Sequence, residues 1–179
     1  MRYEDVLYFW FQEAGVEAWW KKSKTFDDHV RRRFLSVYEK AAKGELWQWR
    51  ESPRGRLAEI IILDQFPRNM FRDTPKSFAT DSIALVLAQE AVHVKADTSL
   101  TPAEKQFLYM PYMHSESLST HDVAVKLYSA PELVSNLDFE HRHRDIIARF
   151  GRYPHRNAIL GRVSTVEEIA FLKEPGSSF

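Results

Sequence analysis

From Pro53 to Phe66 the chain is apolar on nearly every side of a helix, with Leu57, Ile60, Ile61, Ile62, Leu63 and Phe66 spread around the 3.6-residue period. A helix without a polar face has to be wrapped by other elements, so this segment belongs at the centre of a domain. Ser52-Pro53 opens it, a capping serine followed by a proline at the position where a missing N–H costs nothing. Pro67 is expected to end it.

The surrounding signals are helical too. Thr101-Pro102-Ala103-Glu104 and Thr165-Val166-Glu167-Glu168 are capping boxes, Thr74-Pro75 repeats the cap-and-proline device, and Thr25 precedes acids at Asp27 and Asp28. The pattern predicts helices near residues 3–13, 25–43, 53–66, 80–96, 102–117, 119–129, 135–150 and 165–173. No segment alternates with period two, so no strand is expected. At 179 residues, without a low-complexity tract or linker, the reading is one all-α domain over 1–179, an antiparallel helical array.

Charge and cysteine content narrow the function classes. Lys and Arg number 25 and so do Asp and Glu, which leaves no basic excess to release counterions from nucleic acid. There is no cysteine, hence no disulfide, thiolate nucleophile or sulfur-ligated metal. The N-terminus lacks a signal-peptide layout, and the apolar run Val6 to Phe11 is too short to span a bilayer. A cytoplasmic protein with no membrane or nucleic-acid partner is expected. Nothing in the sequence requires a dimer.

Several polar residues intrude on apolar stripes. Asp64 follows Ile60 and Ile61 on the central helix, where a carboxylate must be paired, protonated or facing a cavity, and Arg68 is its nearest partner. Glu90 stands among Ile83, Val86, Leu87 and Val94. His114 falls on the stripe of Phe107, Met110, Pro111 and Leu118, and His143 on that of Phe139, Ile146, Ile147 and Phe150. Between 142 and 162 stand Arg142, Arg144, Arg149, Arg152, Arg156 and Arg162, with no lysine and a single acid, Asp145. Arginine used to this exclusion implies planar, multi-donor contacts, either to internal carboxylates or to a bound anion.

Other chemistry is discounted. His141 and His143 point about 200° apart on a helix and cannot chelate one ion. There is no Gly-rich phosphate loop, dinucleotide fingerprint, Gly-x-Ser-x-Gly elbow or His-Glu-x-x-His. No metal and no cofactor are expected.

Ile62-Leu63-Asp64-Gln65-Phe66-Pro67-Arg68-Asn69, Phe107-Leu108-Tyr109-Met110-Pro111 with His114-Ser115-Glu116, His143 through Arg152, Pro154-His155-Arg156-Asn157 and the tail from Phe171 to Phe179 resemble a bacterial family known as domain of unknown function 924. The resemblance covers nearly the whole chain. It implies an all-helical fold similar to a tetratricopeptide-like right-handed superhelix, and it brings no activity with it. Its blocks coincide with the polar residues already singled out.

The leading expectation is therefore a polar, arginine-rich pocket for a small anionic ligand or a partner's acidic group, built from Arg68, Asn69, Arg149, Arg152, His155 and Arg156. A second is an interaction scaffold presenting aromatic surface from Trp19, Trp20, Trp47 or Trp49 to a protein or peptide. A third is a hydrolase with His114, Glu116 and Asp64 as acid and base groups.

Overall fold

The computed structural model describes residues 1–178; Phe179, the last residue of the tail block, lies outside the described residues. Among the described residues there are helices and no strands. The helices are α1 (Tyr3–Tyr8, continued by a wider π turn over Phe9–Glu13), α2 (Val16–Trp20), α3 (Lys24–Ala42), α4 (Pro53–Met70), α5 (Asp81–His93), α6 (Pro102–Met113), α7 (Leu118–Tyr128), α8 (Val134–Phe150) and α9 (Val166–Phe171), with short 3-10 turns between. No described helix is long and apolar enough to cross a membrane. The chain divides into two compact units, one of residues 1–72 and 76–111, the other of 73–75 and 112 onward.

In the first unit α4 is the central helix, and every residue from Leu57 to Pro67 is buried. Ser52 Oγ accepts the Gly55 N–H at 3.0 Å, the expected cap. α3 packs on α4 through Val30, Phe34, Val37, Tyr38 and Ala41. Phe9, Trp10, Phe34, Phe66 and Phe107 form an aromatic cluster, with Phe34 and Phe66 centroids 4.6 Å apart and Trp10 and Phe107 5.4 Å apart edge to face.

Two expectations are corrected here. α4 does not stop before Pro67 but runs on to Met70. Proline lacks the N–H that would bond Leu63 C=O, and the Thr80 hydroxyl donates to that oxygen instead, at 2.6 Å. α5 turns Ala84, Ala88 and Ala91 inward and leaves Ile83, Val86 and Val94 exposed. The small residues let α5 lie close against α4, so Glu90 is exposed and pairs with Arg56. Of the tryptophans offered as surface, Trp47 is exposed on a 3-10 turn, while Trp49 packs edge-on against Tyr3.

In the second unit Ile146, Ile147, Tyr153 and Phe171 form the core, with Phe150 against it. The buried face of α8 is Glu140, His143, Ile146 and Ile147, and Phe139 is exposed. Gly151 ends α8 in the left-handed region at φ 68, a conformation a glycine adopts without strain. α9 opens with the predicted capping box: Thr165 Oγ1 accepts the Glu168 N–H at 3.1 Å, and Glu168 Oε2 accepts the Thr165 N–H at 2.7 Å.

Candidate functional site

Most of the arginines singled out in the sequence hold internal carboxylates. In the first unit Arg68 clasps Asp81 through two bonds of 2.9 Å and reaches Asp64 at 3.4 Å. Asp64 is fully buried and also accepts from the Gln65 amide at 2.6 Å. In the second unit Arg149 donates to Glu167 at 2.9 Å, and its guanidinium lies over Phe150. Arg152 clasps Glu168 at 2.7 and 2.8 Å and donates to the Val163 carbonyl at 2.9 Å. The Glu168 carboxyl is held down to about 2, first by Arg152, and by the Thr165 N–H, against the opposing effect of desolvation. Arg144 binds Asp122 at 2.8 Å, and Arg162 binds Glu116. The run of arginines thus braces α7, α9 and the turn after α6, using acids that lie outside the run.

The remaining candidates divide between the two units. Arg156 is buried with its guanidinium 4.7 Å from the Tyr153 ring centroid, and His155 is half-buried with its ring 5.5 Å from that of Tyr153. His114 lies past the end of α6, in the turn before α7, so it does not sit on the helical stripe expected of it. Glu116 accepts from Arg162 at 2.7 and 2.8 Å and from the Tyr153 N–H at 2.8 Å. Burial pushes its carboxyl upward, but the guanidinium and the backbone N–H outweigh burial and hold it below the usual glutamate range.

Asn69 leads to an open groove in the first unit, between the start of α3 and the end of α4. This groove has a volume of about 350 Å³ and is lined by Lys22, Ser23, Lys24, Asp27, Asp28, Arg31, Asn69, Met70 and Arg72. Arg72 clasps Asp27 at 2.6 and 2.8 Å, and Asn69 donates to the same carboxylate at 2.9 Å. Lys24 pairs with Asp28 at 2.7 Å. The two acids of the lining are thereby matched by two of its four cations. Arg31 touches the Met70 carbonyl at 3.5 Å and lies over the Phe71 ring; among the described residues neither it nor Lys22 pairs with a carboxylate. The groove carries a surplus of positive charge.

A polar cluster in the second unit was not legible as a site. His121 and Glu140, both fully buried, meet at 2.6 Å between Nδ1 and Oε1. His121 Nε2 lies 2.9 Å from the Ser115 carbonyl and 3.3 Å from the Tyr153 hydroxyl, which donates to the Met113 carbonyl at 2.6 Å. His143 donates through Nδ1 to the Phe139 carbonyl at 2.7 Å, and burial lowers it to about 3. Burial also pushes Glu140 up, by more than its bond to His121 brings it down. Among the described residues no group of three or more His, Asp or Glu side chains is placed to hold a metal ion.

The family described as "Bacterial protein of unknown function (DUF924)" matches residues 6–176. The chain belongs to this family. A solved structure of a protein of unknown function from Agrobacterium tumefaciens is similar to it at 38% identity and a TM-score of 0.91, over 96% of both chains. No curated protein matches. Membership in DUF924 carries the all-helical fold, and the chemistry has to be argued from the side chains.

Proposed function

We propose that this DUF924 chain binds a small anionic ligand, or the acidic group of a partner, in the groove between the start of α3 and the end of α4. One observation carries the reading: Lys22 and Arg31 line the groove without a carboxylate partner among the described residues, while Asp27 and Asp28 are already matched by Arg72 and Lys24. An entering carboxylate or phosphate meets uncompensated positive charge, with Ser23 and Asn69 beside it as polar groups that orient it. The volume, about 350 Å³, suits a small ligand. Arg68, Arg149 and Arg152 serve in this reading as struts, because their guanidinium groups are occupied by Asp81, Glu167 and Glu168. Of the six residues expected to bind the ligand, Asn69 keeps that role.

The test is thermal unfolding against phosphate, citrate and nucleotide anions at fixed ionic strength. A ligand at a hundred times its dissociation constant stabilises by about 2.7 kcal/mol. For a domain of this size that is a rise of roughly 5 to 11 °C. The rise should vanish in the double variant Lys22→Ala, Arg31→Ala, whose exposed side chains contribute little to folding. If no anion raises the midpoint, or the rise survives in that variant, the reading fails. Capture of a protein partner through exposed Trp20 and Trp47 would then be examined.

A further inference from the structure

The turn after α6 is held from three directions. The Tyr153 hydroxyl donates to the Met113 carbonyl at 2.6 Å, the Tyr153 N–H donates to Glu116 at 2.8 Å, and His121 Nε2 approaches the Ser115 carbonyl at 2.9 Å. A carbonyl oxygen only accepts, so Nε2 carries a hydrogen. On the other side of the ring, Nδ1 and Glu140 Oε1 are 2.6 Å apart, and that contact needs a second hydrogen between them. Whether written as imidazole with carboxylic acid or as imidazolium with carboxylate, the pair holds one proton more than a neutral imidazole beside a carboxylate. Both side chains are fully buried, and Glu140 Oε2 has no hydrogen-bond partner among the described residues. An ionised Glu140 would leave that oxygen charged and unsolvated.

We propose that the proton shared by His121 and Glu140 is a latch that keeps the Met113–Glu116 turn closed, and that its loss at alkaline pH opens the turn. When the proton departs to solvent hydroxide, a single ring hydrogen remains. It moves to Nδ1, because otherwise the nitrogen lone pair would face the glutamate anion. Nε2 is then bare, and two acceptors stand 2.9 Å apart where His121 had donated to Ser115. The Tyr153 hydroxyl, 3.3 Å from Nε2, turns to donate to it and gives up the Met113 carbonyl. Two of the three ties therefore break together, and the Glu116 contact is the one that remains. The opened segment carries His114 and Glu116, two of the three residues expected from the sequence as acid and base groups.

The surrounding groups do not supply this response themselves. On α8, Arg144 is paired with Asp122, and His143 stays neutral because burial holds it near 3. His141, also on α8, is exposed. His114 in the turn, and His155 and Arg156 beyond α8, stand near this cluster as well, together with Glu116 clasped by Arg162. Above about pH 7 ordinary imidazoles are already neutral, so a transition there isolates the shared proton.

The experiment follows the imidazole nitrogens of His121 by ¹⁵N NMR and the exchange of the Ser115 and Ser117 amides, from about pH 6 to about pH 10. In the wild-type protein Nε2 should change from protonated to bare. Amide exchange should then rise by about tenfold beyond its intrinsic dependence on pH. In Glu140→Gln the side-chain amide donates to Nδ1 without a titratable proton, so Nε2–H persists and the excess exchange disappears. Nε2–H retained to about pH 10 in the wild-type protein, or the same excess exchange in Glu140→Gln, overturns the proposal. Should Glu140→Gln fail to fold, the wild-type nitrogen signals decide by themselves.

Discussion

The hydroxyl of Thr80 donates at 2.6 Å to the carbonyl of Leu63, the acceptor that Pro67 leaves without its helical partner. In a regular helix the N–H of residue 67 would bond the carbonyl of residue 63. Both Thr80 and Leu63 are buried, so water cannot take over the role. Thr80→Val keeps the shape and removes the donor, and should cost about 1 to 3 kcal/mol, the usual penalty for a buried unsatisfied carbonyl. In a Pro67→Ala background the restored N–H reaches Leu63 and most of that cost should disappear. A double-mutant cycle in urea measures the coupling, and equal costs in both backgrounds would refute it.

This pairing also shows where sequence reasoning stops. The central position of α4 was legible because apolar residues surround the helix, and a pattern without a polar face has one solution. The continuation past Pro67 was not, since the compensating hydroxyl sits thirteen residues further on in another element. Apolar size misled at α5, where Ala84, Ala88 and Ala91 form the buried face because close approach to α4 favours small side chains. On α8 the stripe was read correctly at His143, Ile146 and Ile147, and it shifts by one residue only at the first turn, where Phe139 is exposed and Glu140 is buried. That shift hid the His121–Glu140 pair, which no local spacing announces. Among the site candidates, Asn69 was named, but Lys22 and Arg31 are ordinary surface cations until α3 and α4 bring them to one groove.

Gly55 invites a substitution that its helix position would recommend and its neighbour forbids. Replacing a helical glycine with alanine ordinarily gains about 1 kcal/mol. A Cβ on Gly55 would lie 2.0 Å from the Trp49 carbonyl oxygen, which is backbone and cannot rotate away. Trp49 is held there, its carbonyl accepting the Ser52 N–H at 3.2 Å. Gly55→Ala should therefore destabilise by about 1 to 3 kcal/mol through forced backbone shifts. A rise in unfolding midpoint would contradict this packing.

Arg162 and Glu116 give a second unit-level test. Arg162→Ala strips two charge-assisted bonds from Glu116 and should cost about 1 to 3 kcal/mol. Arg162→Lys supplies charge without the planar fork, and should recover only part of it. Because the folded Glu116 carboxyl lies below its unfolded value, its contribution is full above about pH 4.3 and fades as pH falls through the folded value. The difference between wild type and Arg162→Ala, measured by urea unfolding, should shrink as the pH is lowered across that range.

His143 sets the acid limit of the second unit. Its Nδ1–H is committed to the Phe139 carbonyl, and burial lowers it to about 3, against about 6.5 for an exposed histidine. The unfolded chain therefore binds a proton at this residue, and the folded chain does not, between those two values. The histidine's contribution to stability is present in full above about pH 6.5 and is lost as pH falls toward 3, at up to about 1.4 kcal/mol per pH unit. His143→Asn can keep a donor near the Phe139 carbonyl but has no proton to gain. The variant should be less stable than wild type at pH 7, because Asn fills less of the space against Tyr153. Its stability should then decline less steeply than that of the wild type between about pH 6.5 and about pH 5, a window above the carboxylate titrations. Parallel slopes for the two proteins would mean that His143 is protonated in the folded state, and the burial argument would fail.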